Sequence, residues 1–476
     1  MQTFYGREDI LSDLNALWKK RAPSLVTCRG RRRVGKSTLV EKFAERSGAR
    51  FIRIEGARPK AKMTNADELA AFAEQLSAAT GAEDSPPSNW INAFLRLDGK
   101  ISDAERTVVL LDEVSWMAHY DLRFSSTLKV AWDGHFKKHP KLVFFVCGSV
   151  SSWILENMIQ NGSFYGRRSM DIVVPELPLS ECAKFWGRAA SRIDSREIID
   201  VLSVTGGIPR YLEEIDPGAT ANENIRRLAF RPKSLLREDF DEMFTDVITR
   251  LPSLTALVVR TLVDDARTVS DVASILGMDK NGHLSSVLSQ LEEAGIVSAD
   301  EGKNPASGRQ MREKHYRLRD NYTRFYLKYV EPVKNTIDGG TFAFGSLDEL
   351  RGWESVMGLA FENLVVNNAA QLTARLGIGG AHVMSCAPYR KSGKKGGVQV
   401  DLLIQTPRSV YVVEAKRRRE IGGDIVAEME ERVSKIPKKP GRSVRTALVY
   451  DGKLAPIVEA EGYFDAVVPF RLLLGL

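Results

Sequence analysis

Cysteine is scarce: the 476 residues hold four, Cys28, Cys147, Cys182 and Cys386, with no Cys-x-x-Cys pair. That spacing argues against a disulfide frame or a cysteine zinc site and suits buried thiols in a reducing compartment. Histidine is nearly as rare, six in all. Two lysines separate His135 from His139 and Pro140 follows, so the pair suits a solvated helix end better than a metal site. Long apolar runs are missing too; the densest, such as LVFFVC, fall far short of the roughly 20 residues needed to span a bilayer. The opening MQTFYGREDI lacks the basic-then-apolar pattern of a leader, so a cytoplasmic protein with no membrane partner is expected. Neither sign of charge dominates. Sixty-eight Lys+Arg against 61 Asp+Glu leave +7, a mild bias toward a polyanion such as nucleic acid that an ordinary basic surface explains equally well. The length exceeds one hydrophobic core, and three or four domains are expected.

What is present begins with SLVTCRGRRRVGKSTLVEKFAERSG, an apolar strand, then Gly30-x-x-x-x-Gly35-Lys36-Ser37, then a helical pattern stopped by Gly48. Glycines let the backbone N–H groups of a loop running through Arg33, Val34 and Thr38 turn toward a phosphate. Lys36 adds charge at the outer phosphates, and Ser37 offers a hydroxyl to Mg²⁺ at a helix start. Downstream, TVVLLDEVSWM ends a buried strand in Asp112 and Glu113, the first to hold the Mg²⁺ shell and the second to polarise the attacking water. ATP and Mg²⁺ are the expected cofactors. KLVFFVCGS ends in Ser149, which reads equally as a γ-phosphate sensor or a turn residue.

The N-terminal half resembles the archaeal-type predicted ATPases of the AAA/STAND group. FYGREDIL is similar to their opening box near the adenine, GRRRVGKST to their phosphate loop and TGGIPRYL to their lid motif. The resemblance implies that Gly207, Pro209 and Arg210 lie against nucleotide, with Arg210 as a second sensor. It also implies that SFYGRRS carries an arginine finger, Arg167 in preference to Arg168, acting between subunits of a homo-oligomer. A surface arginine with no phosphate role is the other reading.

From Leu251 the pattern turns helical: LTALVVRTLVDDA, VSDVASILGM, NGHLSSVLSQLEEAGIV, then a polar hairpin region. Ser270-Asp271 is the expected start of the second helix and Gly277 its stop. The third buries Leu284, Val287, Leu288 and Leu291 and exposes His283, Ser285, Ser286, Ser289 and Gln290. This is a winged-helix pattern, with NPASGRQMREKHYR as a basic wing over phosphate or, equally, as a protein-contact element. The aromatics of DNYTRFYLKYV read as core packing. EPVKNTIDGGTFAFGS reads as a linker.

The last quarter holds QVDLLIQTPRSVYVVEAK, two apolar strands around a turn. If the turn is centred between Pro407 and Arg408, Asp401 faces Glu414 on one side of the hairpin and Lys416 joins them. Two buried carboxylates repel unless a cation compensates. Asp401, Glu414 and the Ala415 carbonyl can ligate Mg²⁺ or Mn²⁺, Glu362 from the preceding amphipathic helix can complete the shell, and Lys416 can stabilise charge on an attacked phosphodiester. YRKSGKKGG, RRRE and KIPKKPGRSVR would ring the site with positive charge for DNA. The order helix-Glu, strand, Asp, Glu-x-Lys, helix, strand resembles the PD-(D/E)xK restriction-endonuclease fold of the DEXX-box domains often joined to these ATPases, with Val400-Asp401 in place of Pro-Asp.

The expected architecture is a multidomain α/β chain: an ASCE-type P-loop ATPase core (1–175), helical lid (176–245), winged helix (246–335), linker (336–350) and nuclease-like domain (351–476). The leading expectation is an ATP-regulated, metal-dependent DNase, with defence against foreign DNA as an analogy. The alternatives are a nucleotide switch that binds DNA or protein through its winged helix with an inactive nuclease fold, and a loader that hydrolyses ATP without cutting.

Overall fold

The computed structural model describes residues 4–83, 85–148, 151–247, 252–280, 282–380, 382–391 and 397–476. Two compact units divide them, Met1–Pro175 and Glu176–Leu476. Among the described residues no helix is long and apolar enough to cross a membrane.

The first unit is built on a parallel sheet of β1 (Ser24–Arg29), β2 (Arg50–Glu55), β3 (Thr107–Asp112), β4 (Leu142–Gly148) and β5 (Arg168–Val173), in the order β2-β3-β4-β1-β5. Burial explains the strand sequences. Every residue of β3 and β4 is buried, whereas the edge strand β2 alternates at its end, as one-sided cover requires. Helix α1 (Lys36–Ser47) follows the loop after β1, and α2 (Phe124–Gly134) packs its Phe124 ring 4.7 Å from Trp90, edge to face. Because β4 lies between β1 and β3, the phosphate loop and Asp112 are held two strands apart, the spacing expected of an ASCE-type core.

In the second unit, after helical segments over Leu179–Cys182 and Ala183–Ser191, α3 (Ser195–Thr205) and α4 (Ala221–Ala229) are each started by a side-chain cap: Asp194 accepts the Arg196 N–H, and Thr220 pairs with Glu223. Helices α5 (Pro252–Thr261), α6 (Val269–Leu276) and α7 (Gly282–Glu293) precede an antiparallel pair, β6 (Val297–Asp300) and β7 (His315–Leu318). α7 buries Leu284, Val287, Leu288 and Leu291 as its spacing demands. α6 starts two residues earlier than expected, at a capping box of Thr268 with Asp271, because the threonine hydroxyl reaches the third amide of the turn. In α8 (Asn321–Phe325) and the turn after it, Tyr322, Phe325 and Tyr326 are core residues; Tyr326 stacks on Phe240 at 4.0 Å. The segment expected to be a linker is held down. Phe342 stacks on Phe230 at 5.2 Å, Phe344 meets it edge to face at 5.0 Å, and Arg226 lies over the Phe344 ring.

The chain then forms α9 (Trp353–Asn367) and a second sheet of β8 (Ser385–Lys391), β9 (Val398–Gln405), β10 (Ser409–Ile421), β11 (Ser443–Leu454) and β12 (Ala466–Pro469), with α10 (Asp424–Lys435) between β10 and β11. The order is β12-β11-β10-β9-β8; β10, β11 and β12 run parallel, while β8, β9 and β10 are joined antiparallel. On one face Val400, Leu403, Val410, Val412 and Leu448 pack against Ile425 and Met429 of α10; α9 packs on the other face, where Phe361 meets Phe470 at 4.8 Å.

Candidate functional site

The loop after β1 is shaped by backbone that side chains resist. Gly30 has φ 147°, and a Cβ there would lie 2.6 Å from the Val174 carbonyl oxygen; Gly35 at φ 87° and Arg33 at φ 67° turn the chain into α1. Lys36 is buried, its ammonium donating to the Gly30 and Arg31 carbonyls at 3.1 and 3.2 Å. Val34 is buried in the loop and its carbonyl accepts from Arg7, which also donates to Pro175 at 2.5 Å. Ser37 and Thr38 occupy the first turn of α1, half-buried and exposed. Two strands away, Asp112 is buried and accepts from Arg53 at 3.0 Å and from the Glu113 N–H at 3.2 Å. Glu113 is left-handed at φ 48°, turning the chain sharply off the strand end, and a Cβ on Gly56 would meet its carbonyl at 2.7 Å. Burial pushes the neighbouring Glu55 carboxyl up, against the pull of Arg53 and with the push of Asp112 and Glu113. Arg7 and Arg53 were missed as site residues; Arg7 sits inside the opening FYGREDIL box, while nothing local marks Arg53.

Other expected ATPase residues lie elsewhere. Ser149 is outside the described residues. Arg167 is held in two parallel bonds to Asp133 of α2 at 2.8 and 2.9 Å, so it is not a free surface arginine, and reaching a neighbour's phosphate requires that pair to open. Arg210 donates to Glu214 within its own helical turn at 2.6 Å, Pro209 is the first residue of that turn, and Gly207 is tied by its N–H to Glu176 at 3.0 Å. All three belong to the second unit. His135 caps the end of α2 with its side chain 39% exposed, 3.6 Å from Asp98, whereas His139 is more enclosed, bridging Asp98 and Asp103 at 3.0 and 2.7 Å.

In the second sheet the hairpin register is the one the turn predicts, Gln405 opposite Val410 and Leu402 opposite Val413. The next pair would be Asp401 and Glu414, and there the ladder stops. Val400 and Leu403 both enter the α10-side core, which strict alternation forbids, and the register with β8 slips by one between Ala387↔Leu403 and Tyr389↔Val400. The extra residue is a bulge at Asp401–Leu402, opposite Pro388, whose ring nitrogen has no hydrogen to donate. Asp401 instead accepts the Ala415 N–H at 2.8 Å through its carboxylate.

The bulge corrects the expected pair of facing acids. Glu414 points to the α10 side, where Lys416 lies 2.8 Å away and Arg432 of α10 also binds it; Lys416 reaches Glu428 of α10 at 3.2 Å. Asp401 shares its field with Glu362 of α9. Burial, then Asp401, push the Glu362 carboxyl up to about 8 against Lys416, Arg390 and Arg324; burial also raises Asp401, despite the Ala415 N–H and the nearby Arg432 and Lys416. Among the described residues no group of three or more His, Cys, Asp or Glu is close enough to hold a metal ion. The expected set of Glu362, Asp401 and Glu414 with the Ala415 carbonyl is therefore not assembled; Glu414 is instead paired with Lys416 and Arg432. Ser392–Gly396 of the basic loop are outside the described residues. The expected wing is docked: Gln405 donates to the Lys303 carbonyl at 2.6 Å and Arg442 to the Pro305 carbonyl at 3.0 Å, which covers the β8 edge.

Residues 4–215 match the family model of an ATPase domain predominantly from Archaea. An uncharacterized protein of Methanocaldococcus jannaschii is 23% identical over 371 residues, 76% of each chain. The Walker-type ATPase of Pyrococcus abyssi superposes with a TM-score of 0.51 at 15% identity, over 68% of this chain and 96% of its own, which shows a shared fold. The Aeropyrum pernix ORC2 protein, in ADPNP–ADP complexes, reaches 0.43 at 13% identity over 70% and 94%. Residues 4–215 are thus similar to an archaeal-type ATPase domain, and the first unit has a P-loop NTPase-like fold with a parallel five-stranded sheet.

Proposed function

We propose that this chain couples ATP hydrolysis at the loop of residues 30–38 to cleavage of DNA by a restriction-endonuclease-like site in its second unit. The ATPase part rests on the loop geometry and the family match. Lys36, now on two loop carbonyls, exchanges them for phosphate oxygens; Ser37 and Asp112 are oxygen donors of the type Mg²⁺ takes, and Glu113 orients the attacking water. Assembly into a homo-oligomer, with Arg167 leaving Asp133 for a neighbour's phosphate, belongs to the same proposal. Turnover per subunit rising with protein concentration tests it; flat turnover refutes it.

The observation that carries the nuclease reading is that Glu362, Asp401 and Lys416 share one electrostatic field at the bulged end of one hairpin, in the element order helix, hairpin, helix, strand. Asp401 is buried and Glu362 half-buried, Asp401 raises the proton affinity of Glu362, and a divalent cation relieves such a pair. The fit covers these two carboxylates and the Ala415 carbonyl; Glu414 joins only by releasing Arg432. Such an ion, when bound, supplies a water of lowered pKa and a Lewis acid. Lys416 holds a positive charge beside the phosphodiester, and Glu414 and Glu428 fix that ammonium in place. The three-helix and hairpin arrangement from α5 to β7 supports a winged-helix reading, used for docking onto the second sheet.

A second reading, a nucleotide switch with an inactive nuclease fold, is favoured by the Arg432–Glu414–Lys416 ion pairs. Incubation with plasmid and linear DNA, with Mg²⁺ or Mn²⁺ and with or without ATP, separates the two. Cleavage by the wild type that Asp401→Ala and Lys416→Ala both abolish, with ATP binding retained, supports the first. A wild type that never cuts leaves the switch.

A further inference from the structure

The docked hairpin β6–β7 also walls an open groove. Asp300, at the end of β6, accepts from Arg390 of β8 at 2.7 Å and from Arg317 of β7 at 3.4 Å, and the Lys303 N–H reaches the Ser385 hydroxyl at 3.4 Å. Between this hairpin, β8 and the C-terminal end of α9 lies a cavity of about 300 Å³, with Ser298, Arg317, Arg319, Asn367, Cys386 and Pro388 in its wall. That volume lies at the small end of the range for ligand pockets.

The wall itself is balanced, but the charges around it are not. Asp300 is one negative charge shared between Arg317 and Arg390, and Glu301 is taken by Lys314. Arg319, half-buried in the wall, has no side-chain hydrogen bond or ion pair among the described residues. Arg317 and Arg319 in the wall face Asp300 and Glu301; outside the wall Arg390 pairs with Asp300 and Lys314 with Glu301, so four cations against two carboxylates leave two positive charges in excess around the cavity. Arg317 registers the crowding: burial lowers its proton affinity, Asp300 pulls it back up, and Arg390 and Arg319 lower it again. Behind it, burial and Arg317 push Arg324 down to about 10. Arg390 Nε is a buried donor without a partner among the described residues. Such surroundings want an anion with several acceptor oxygens, and guanidinium forks match phosphate. The Ser298 hydroxyl and Asn367 amide add neutral donors, while Cys386 and Pro388 offer an apolar strip for a sugar.

The cavity also sits next to the chemistry. Pro388 is the residue opposite the Asp401–Leu402 bulge, and Arg390 contributes to the field at both Asp401 and Glu362. We propose that this cavity is a subsite for a backbone phosphate of nucleic acid, flanking the phosphodiester presented to Asp401 and Lys416, with Arg319 as its main ligand. The proposal rests on the nuclease reading for its place on the strand, but its test reads binding and not cleavage.

The test uses the full chain carrying Lys416→Ala, without divalent ions, and a short fluorescent DNA duplex across a salt titration. Arg319→Ala is expected to weaken binding about ten- to a hundred-fold, the worth of one charge-assisted hydrogen-bonded contact, and to lower the slope of log affinity against log salt by about one. Arg319→Glu is expected to weaken it further, and Arg319→Lys to keep the slope. ATP hydrolysis stays unchanged in the otherwise wild-type chain bearing each substitution. The Arg319 side chain has no partner to orphan among the described residues, so these variants keep their fold; unchanged melting temperatures check this, and Ser298→Ala gives an independent, smaller loss. Unchanged affinity and slope in Arg319→Glu, with the parent binding DNA, overturn the subsite and leave the nuclease reading standing. Inorganic phosphate displacing DNA at equal phosphate concentration would assign the cavity to a free anion, and a parent that binds no DNA at low salt would also overturn the proposal. A wild type that binds through Arg319 yet never cuts sinks the nuclease reading alone.

Discussion

Replacing Asp200 by asparagine should stabilise the second unit at neutral pH, although it removes one member of a buried ion pair. Asp200 of α3 binds Arg417, the residue after Lys416 on β10; the Arg417 side chain is 1% exposed and also reaches Glu354 at 3.2 Å and Asp451 at 3.8 Å. Burial raises the Asp200 carboxyl from 3.8 to about 6, outweighing the pull of Arg417 and Arg196. An acid whose folded pKa lies above its unfolded value stabilises the fold most when protonated. Its contribution falls as pH rises from about 4 to about 6 and is level above that. A shift of about two units corresponds to roughly 3 kcal/mol; with the side chain 18% exposed, about 1–3 kcal/mol is the expected range. Asparagine keeps an oxygen for the Arg417 N–H without the charge. Urea unfolding followed through Trp353 fluorescence should therefore show Asp200→Asn more stable than the wild type by about 1–3 kcal/mol at pH 7, with the gap closing near pH 4. If the variant is instead less stable at pH 7 by about 1 kcal/mol or more, attraction to Arg417 exceeds the desolvation of Asp200, and the reasoning fails.

The complementary change, Arg417→Met, leaves Asp200 and Asp451 buried without their cation and should cost about 3–5 kcal/mol in the same assay, more at pH 7 than at pH 4. Gly30→Ala drives a Cβ against the Val174 carbonyl at a φ that side chains avoid, so nucleotide binding by calorimetry should fall at least tenfold, equivalent to about 1.4 kcal/mol. Glu113→Gln should bind ATP with wild-type affinity and hydrolyse it about a hundredfold more slowly in a phosphate-release assay, the range of one general base; an unchanged rate moves the water-activating role elsewhere. Arg432→Met frees one side of Glu414, and Mn²⁺ affinity measured by calorimetry with the nucleotide site blocked by Lys36→Ala should rise about tenfold. No rise means Glu414 takes no part in holding metal.

The phosphate loop could be read from the chain because its chemistry is contiguous: glycine, lysine and serine act from neighbouring positions on one turn of backbone. The hairpin register was equally readable, since one turn centre sets every pair from Gln405↔Val410 to Leu402↔Val413. The candidate site departs from that reading one residue later. The ladder stops one pair short of Asp401 and Glu414, beside a bulge in the register with β8, and Arg432, eighteen residues beyond Glu414, takes the acid expected for metal. Arg53 on Asp112, Asp133 on Arg167 and the docking of the expected wing are choices of the same kind.

Periodicity, glycine placement and turn chemistry along the chain settled the P-loop core, the strands and helices and the list of chemically able residues, because those follow from neighbours within a few positions. Folding in three dimensions decided which cation each acid meets and which face each acid occupies. Any of the 68 basic side chains could in principle satisfy a given carboxylate, and the selection comes from packing and desolvation between distant segments.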